Sequence, residues 1–170
     1  MSPPEVAEAW PEPVERVSAA LRQAGAEARI EEFETVAHTA EEAASAIGCS
    51  LGQIVKSLLF DCDGNPVLVL VPGDRRADPE KVGKATGAGR AKVASAVQVE
   101  SDTGFAPGAV SPFGLTRVAR VLIDESLLVD GLLWVGAGST WHMAGIPAAE
   151  LVRVARAEPA DVVTDAYHSE

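Results

Sequence analysis

The stretch Ile54-Val55-Lys56-Ser57-Leu58-Leu59-Phe60 is an apolar run with a single lysine in it, and it predicts a strand that enters the core. Side chains alternate between the two faces of a strand, so Lys56 lies between apolar neighbours on its own face. An ammonium group is costly to bury unless it is paired, hydrogen-bonded or facing a cleft. Lys56 is therefore either a strand-end lysine whose head reaches water or a cleft lysine that meets a ligand. This run alone favours the first interpretation.

The segments around this run predict a mixture of helices and strands. The sequence at 61–65 has turn composition and 66–71 is a second strand, so residues 54–71 predict a β-hairpin. Further strands are expected at 28–33, 118–124 and 132–135. Apolar periodicity and capping residues predict helices at 14–24, 39–48, 78–87, 97–103 and 148–156. Because helices and strands do not alternate regularly, we expect an α+β fold with a mixed sheet or partial barrel and helices to one side.

The length of 170 residues predicts one domain. We place that domain at 13–158, after a loose lead-in at 1–12 and before a polar, acidic tail at 159–170. No apolar run approaches the length of a membrane span, and the first ten residues lack the features of a signal peptide, so a cytoplasmic protein is expected. Cys49 and Cys62 have no metal-type spacing, which favours two reduced thiols.

The acidic charge is concentrated at the two ends of the chain. The net charge is -11, and residues 1–45 hold ten acidic side chains against three arginines, while residues 158–170 hold four acidic side chains and no lysine or arginine. The middle is neutral and contains a basic cluster at Arg75, Arg76, Lys81, Lys84, Arg90 and Lys92. This cluster is either a solvated helix face or a surface for nucleic-acid phosphates, and by itself it favours the solvated face.

Two glycine-containing segments have special backbone requirements. Gly136-Ala137-Gly138-Ser139 is expected to form a glycine-rich turn directly after a strand, with His142 close behind, although a tight turn explains it as well as a ligand site does. Residues 104–115 form a long loop, and such loops are usually functional. If Lys56 and the two segments converge, they form a pocket with one cation and several backbone donors. Such a pocket suits a carbonyl, a carboxyl or a phosphate.

Several familiar site motifs are missing from the sequence. The glycine-rich segment lacks the third glycine and the following helix of a dinucleotide fingerprint, and the chain has neither a Walker lysine motif nor a Gly-x-Ser-x-Gly elbow. A hydrolase triad thus has no evident nucleophile, and no general base is evident. His38, His142 and His168 share no metal-ligand spacing, so neither a metal nor a cofactor is expected. His142 is kept as a candidate because it is next to the glycine-rich segment.

Taken together, the motifs resemble those of the YbaK/ProX family, which includes the insertion module of bacterial prolyl-tRNA synthetases and freestanding aminoacyl-tRNA deacylases. The resemblance covers 39–151 and rests on four motifs in the family's order and spacing: Lys56 within 54–58, Gly-x-x-Pro-Gly at 104–108, Ser-Pro-Phe-Gly at 111–114 and Gly-x-Gly-Ser at 136–139. The family fold, a mixed and barrel-like sheet flanked by helices, becomes the expectation for this chain.

The resemblance implies catalytic roles for four residues. Lys56 is expected to position the aminoacyl end of a tRNA. Backbone groups of Gly136, Gly138 and Ser139 are expected to hold the ester carbonyl and the catalytic water.

The family resemblance also implies binding roles for further residues. The residues expected to shape the pocket around the acceptor end are Gly104, Pro107, Gly108 and, at a position that varies within the family, His142. The basic residues that become candidate tRNA contacts are Arg75, Arg76, Lys81 and Lys84.

The expected function is therefore a trans-editing deacylase that removes alanine or cysteine from tRNA(Pro). An aminoacyl ester is already activated, and family mechanisms assign much of the proton handling to the substrate's own 2′-hydroxyl, so no triad is required. The expected partners are the tRNA acceptor end and, as a further candidate, prolyl-tRNA synthetase, with no role for a membrane or DNA. Two alternatives stay open: a non-catalytic module that binds tRNA or a synthetase, and a small-molecule ester or amide hydrolase that uses the same pocket.

Overall fold

Five helices and eight strands are present in the described part of the chain, residues 10–34 and 36–165 of a computed structural model. The helices are α1 Glu12–Gln23, α2 Ala40–Ile47, α3 Pro79–Thr86, α4 Ala96–Thr103 and α5 Ala148–Ala155. The strands are β1 Arg29–Glu32, β2 Val55–Cys62, β3 Asn65–Pro72, β4 Ala91–Val93, β5 Arg120–Asp124, β6 Leu132–Ser139, β7 His142–Pro147 and β8 Ala157–Ala160. No helix in these two ranges is both long and apolar enough to cross a membrane.

The predicted hairpin around Lys56 is confirmed. Strand β2 pairs antiparallel with β3, and Cys62 pairs with Asn65 across a turn of two residues. The two turn residues, Asp63 and Gly64, have φ angles of 53° and 89°. Two successive positive φ angles are typical of the type I′ turn, whose twist matches that of the flanking strands.

The helix starts follow the capping residues in the sequence. The Thr39 hydroxyl accepts a hydrogen bond from the backbone of Glu42, whose carboxylate in turn accepts one from the backbone of His38. Asp78 caps α3 in the same way, ahead of the proline at the first helical position. Helix α1 begins at Glu12, within the predicted lead-in, and the rest of that lead-in up to residue 9 lies outside the described residues.

The strands form two sheets. In the five-stranded sheet the order is β4-β2-β3-β5-β8, where β2 is antiparallel to β3 and β4, and β5 is parallel to β3 and β8. The three-stranded sheet, β1-β7-β6, is antiparallel. The α+β prediction is confirmed, and in the described part of the chain the strands lie in two sheets that do not close into a barrel. The β6–β7 hairpin pairs with β1, and only an isolated bridge from Ile54 to Trp134 links the sheets among the described residues.

Strand β3 lies at the centre of the core and is buried on both faces. Leu68 and Leu70 point into the larger apolar cluster, which also contains residues of α1, β6 and β7. The alternate residues Val67, Val69 and Val71 point into a second cluster with α3. This alternation explains why the strand reads as a continuous apolar run.

Residues 159–165, expected to be a polar, acidic tail, include the end of a strand and two buried valines. Ala157–Ala160 forms β8, and beyond the exposed Asp161 the side chains of Val162 and Val163 are 0% and 4% exposed and pack against α3. The backbone N–H of Val162 donates to the buried carboxylate of Asp124. The burial of two valines in a short polar segment accounts for this packing. The acidic residues around them led to the prediction of a polar tail instead. His168 and the rest of 166–170 lie outside the described residues.

Candidate active site

A pocket of about 350 Å³ opens where the start of β2 meets the β6–β7 hairpin and the segment that leads into α2. Small side chains in its lining belong to Ala37, Ala40 and Ala43, and larger apolar side chains such as Ile54, Leu58 and Met143 also line it. Its lining also contains polar side chains and glycine backbone, contributed by Lys56, Ser57, Gly108, Gly136, Ser139 and His142 and by His38, Thr39 and Thr140. Residues from four separate segments thus meet in one hollow.

Lys56 is a half-buried residue whose ammonium nitrogen donates to the carbonyl oxygen of Arg75 at 2.5 Å. Burial lowers the pKa of this ammonium from its ordinary value, and Arg76 adds to the lowering, while the carboxylates of Glu41 and Asp74 oppose it. The bond to Arg75 uses one of the three hydrogens of the ammonium. Lys56 is therefore a cleft lysine, which the apolar run by itself did not favour.

Ser139 and His142 form a pair that spans the turn between β6 and β7. Oγ of Ser139 lies 2.6 Å from Nδ1 of His142, and the backbone N–H of Trp141 donates to the same oxygen at 3.1 Å. The segment 136–139, predicted as a turn, is the end of β6, and the turn itself follows directly at residues 140–141. A Ser-x-x-His spacing across a strand end is the only sequence signal of this pair, and sequence reasoning missed it.

His142 is buried, and besides the Ser139 hydroxyl one carboxylate lies close to its ring. The residue is 2% exposed, and the ring of Trp10 meets it edge-on with 5.5 Å between centroids. Burial lowers the pKa of the imidazole from its ordinary value, and Glu32, whose carboxylate oxygen lies 3.9 Å from Nε2, opposes this effect. A neutral ring at neutral pH follows.

Two buried polar atoms in the pocket lining have no hydrogen-bond partner. Among the described residues, the buried side-chain atoms without a partner are Arg16 Nε, Ser57 Oγ and His142 Nε2. Ser57 and His142 both line the pocket. Buried polar groups are almost always paired in folded proteins, so both atoms are available to a water or a ligand in the pocket.

Gly136 lets the long loop approach β6 closely. A Cβ at this position would lie 2.3 Å from the carbonyl oxygen of Val110, a distance that no side chain tolerates. Gly108, in the same loop, has a φ of 84° and lines the pocket. The two glycines thus form one wall of the hollow.

Three predicted site residues lie outside the pocket lining. Gly104 is the left-handed cap of α4, and its carbonyl oxygen accepts a hydrogen bond from Arg16 of α1. Gly138 has a φ of 100° and lies against the backbone of Pro13, 2.7 Å from where its Cβ would be. Pro107 is likewise absent from the lining. Helix α1 therefore packs against Gly104 and Gly138 from behind the site.

The basic cluster is only partly available to a ligand. The Lys81 ammonium pairs with Asp161 at 3.0 Å and Asp165 at 2.8 Å, and these hydrogen bonds raise its pKa. The Arg75 guanidinium donates to the carbonyl oxygen of Thr164 at 2.6 Å. Arg76 and Lys84, by contrast, are exposed. The folded C-terminal segment thus occupies two of the four candidate tRNA contacts.

Metal chemistry has no evident ligand set in the described ranges, since no group of three or more His, Cys, Asp or Glu side chains there could hold an ion. Within those ranges Cys49 and Cys62 are free thiols. The fold and the site define an α+β protein with a small pocket, lined by an ammonium, imidazoles, hydroxyls and glycine backbone. The chemistry of such a lining suits a short acyl or anionic group.

Comparison with known proteins identifies the family. The sequence model of the aminoacyl-tRNA editing domain matches residues 34–154, so the chain belongs to that family. This confirms the resemblance to the YbaK/ProX proteins. A candidate trans-editing enzyme for prolyl tRNA synthetase, known from its crystal structure, is similar at 32% identity with a TM-score of 0.86, over 92% of this chain and 99% of that one.

Curated relatives include whole synthetases. The chain is 43% identical to the proline--tRNA ligase of Nitratidesulfovibrio vulgaris (strain DP4) over 59% of its own length and 18% of the ligase. It is 40% identical to the uncharacterized protein YwhH of Bacillus subtilis over 58% of its own length and 62% of that protein. The chain thus spans less than a fifth of the first of these relatives.

Proposed function

We propose that this protein is a trans-editing deacylase that hydrolyses the ester of misacylated tRNA(Pro), with alanine or cysteine as the amino acid removed. The observation that carries the proposal is the convergence of Lys56, Gly136 and Ser139 in one pocket within the segment matched by the editing family. Prolyl-tRNA synthetase is the proposed partner. The cytoplasm is the proposed compartment, because translation supplies aminoacyl-tRNA there.

The pocket chemistry supports ester hydrolysis. The Lys56 ammonium and backbone donors near Gly136 can stabilise the negative charge that develops on the carbonyl oxygen of an ester under attack. The small side chains of Ala37, Ala40 and Ala43 leave space for a short amino acid. A second site that accepts only small side chains corrects errors that a synthetase cannot avoid in its binding step.

Exposed basic groups outside the pocket would contact the tRNA backbone. Arg76 and Lys84 are the two exposed members of the four proposed contacts, and Arg75 and Lys81 are the two that the C-terminal segment engages. Phosphate contacts of this kind supply affinity without sequence preference.

A deacylation panel tests the proposal. Purified protein is incubated with tRNA(Pro) carrying alanine, cysteine or proline and with matched aminoacyl-tRNAs of other identities. We expect ester cleavage of alanyl- or cysteinyl-tRNA(Pro) and none of prolyl-tRNA(Pro). Tight binding of deacylated tRNA with no cleavage of any substrate would instead support the non-catalytic module. Equal cleavage of a free aminoacyl ester would support a small-molecule hydrolase.

A further inference from the structure

Helix α1 lies outside residues 34–154, the range that the editing family matches, yet it contacts both glycine-containing segments of the candidate site. A Cβ on Gly138 would lie 2.7 Å from the carbonyl oxygen of Pro13 in α1. Arg16, on the same helix, reaches the loop at 104–115. The proposed deacylation assigns no role to this helix.

Arg16 holds the first end of the 104–115 loop. Its guanidinium donates to the carbonyl oxygen of Gly104 and lies over the ring of Phe105, with 4.4 Å between Cζ and the ring centroid. A cation over an aromatic face is attracted to it, and the planar guanidinium can stack and donate at the same time. Gly104 is the left-handed cap that ends α4. Arg16 therefore fixes the point at which the chain leaves the helix and enters the loop.

The same side chain also lies against the other end of the loop. A Cβ on Gly114, whose φ is 72°, would lie 3.2 Å from Cγ of Arg16. Between Gly104 and Gly114 the loop contains Gly108 and Val110, which line the pocket. One arginine thus touches both ends of the segment whose middle forms a pocket wall.

Hydrogen bonds inside the loop shape it locally. The backbone N–H of Ala109 donates to the carbonyl oxygen of Ala106. The backbone N–H of Phe113 donates to the hydroxyl of Ser111. Bonds of this kind do not fix the loop relative to β6. Contacts from another element do so, and Arg16 supplies one at each end.

The position of Arg16 carries a cost. Its side chain is only 28% exposed, and its Nε is one of the buried atoms without a hydrogen-bond partner in the described part of the chain. Glu12, one turn earlier, lies 3.6 Å from its Nη1 and is largely exposed. A surface arginine would avoid the unpaired nitrogen by extending its head into water. The contacts with the loop offset this cost.

We propose that Arg16 is a positioning residue that sets the amino-acid selectivity of the pocket by holding the 104–115 loop against β6. This inference rests on the proposed function. Arg16 lies outside the pocket lining, so it acts on the substrate only through Gly108 and Val110. A held loop limits the size of the amino acid that fits. A released loop moves outward, and the pocket then admits a larger amino acid and orients a small one less well.

The test compares Arg16→Met and Arg16→Lys with the wild-type protein and with Arg22→Met, which removes an exposed arginine from the same helix as the matched control. The substrates are tRNA(Pro) carrying alanine, cysteine or proline. The measured quantity is kcat/KM for the preferred substrate divided by kcat/KM for prolyl-tRNA(Pro). We expect this ratio to fall roughly tenfold in Arg16→Met and to stay unchanged in Arg22→Met. Arg16→Lys, which keeps a donor without the planar group, should give an intermediate ratio.

The ratio separates positioning from a structural role, because loss of folded protein lowers the cleavage of every substrate by the same factor. Hydrogen exchange measured by mass spectrometry supplies a readout that needs no activity. We expect faster exchange in peptides that cover 104–115 of Arg16→Met, with the exchange of β3 unchanged.

Each contrary result has its own meaning. An unchanged ratio in Arg16→Met would overturn the positioning role, whatever the exchange shows. Faster exchange throughout the protein, with an equal loss on all substrates, would mean that Arg16 only stabilises the fold. Failure of the wild-type protein on every aminoacyl-tRNA would overturn the proposed function and the selectivity role with it, while the exchange would still show whether Arg16 restrains the loop.

Discussion

The ammonium nitrogen of Lys56, at the start of β2, lies 2.5 Å from the carbonyl oxygen of Arg75, in the turn that follows β3. The hairpin register places Lys56 opposite Val71, so the bond joins the first strand to the chain just beyond the end of the second. This contact keeps the head of the lysine at the pocket wall. Burial removes part of the hydration of the ammonium, and this cost lowers the pKa of Lys56. A purely structural lysine would avoid the cost by extending its ammonium into water.

Removal of the Lys56 charge should abolish deacylation and leave the fold intact. Lys56→Met keeps most of the apolar stem, so the loss reports on the ammonium, and we expect kcat/KM to fall by roughly 100-fold or more. The measurement is cleavage of the preferred aminoacyl-tRNA, with circular dichroism to check folding. Arg153→Ala, which removes a surface cation paired with Glu150, is the control and should stay active. Full activity in Lys56→Met would remove the lysine from the mechanism.

Substitution of Gly136 should damage both stability and the pocket. The new Cβ in Gly136→Ala would lie 2.3 Å from the Val110 carbonyl oxygen, so β6 or the loop must move, at about 1–3 kcal/mol. Chemical denaturation measures this cost. The control is Gly52→Ala, whose Cβ would meet Asp74 at an ordinary 3.5 Å. Equal stability of the two variants would contradict the close approach of the loop.

The two lysines of α3 should contribute unequally to tRNA binding. Lys84 is exposed, whereas Lys81 is held by Asp161 and Asp165. We expect Lys84→Ala to weaken binding and to reduce the salt dependence by about one phosphate contact, and Lys81→Ala to have a smaller effect. Filter binding over a range of salt concentrations measures both. An equal loss would mean that Lys81 leaves its aspartates when tRNA binds.

The C-terminal segment should contribute to stability as part of the core. Val162 is 0% exposed, and Val162→Ala should lower the free energy of unfolding by roughly 2 kcal/mol. Thr164→Ala, two residues on and exposed, is the matched control. Urea unfolding of the two variants distinguishes a packed segment from the polar tail that composition suggested. A stable Val162→Ala protein would favour the tail.

Acidification should destabilise the protein through His142. Burial lowers the pKa of this residue in the folded state, so the unfolded chain binds its proton more readily. The contribution is fully present above the unfolded pKa of about 6.5 and declines as the pH falls from there towards the lower folded value. Urea unfolding at several pH values should show this decline in the wild-type protein and a weaker one in His142→Gln. The same slope in both proteins would place the titrating group elsewhere.

Local patterns predicted the local structure well, because their causes lie within a few residues. The Asp63-Gly64 turn, the caps at Thr39 and Asp78 and the alternation around Lys56 each depend on backbone preferences and short hydrogen bonds. The motif order also identified the family, since the motifs are carried along one chain. The prediction for 136–139 was wrong because glycines indicate either a turn or a close approach, and the partner that decides between them, Val110, is distant in sequence.

The sequence by itself determined the α+β class, the hairpin and the lysine at its base, because strand period and turn chemistry are encoded by neighbouring residues. Only the tertiary structure decided that Ser139 bonds to His142 and that the N-terminal helix packs against Gly104 and Gly138. It also decided that the acidic end of the chain is folded against α3. Those outcomes depend on which distant segments pack together. Their packing is determined by how the apolar surface of the whole chain is buried, which no single stretch of sequence can specify.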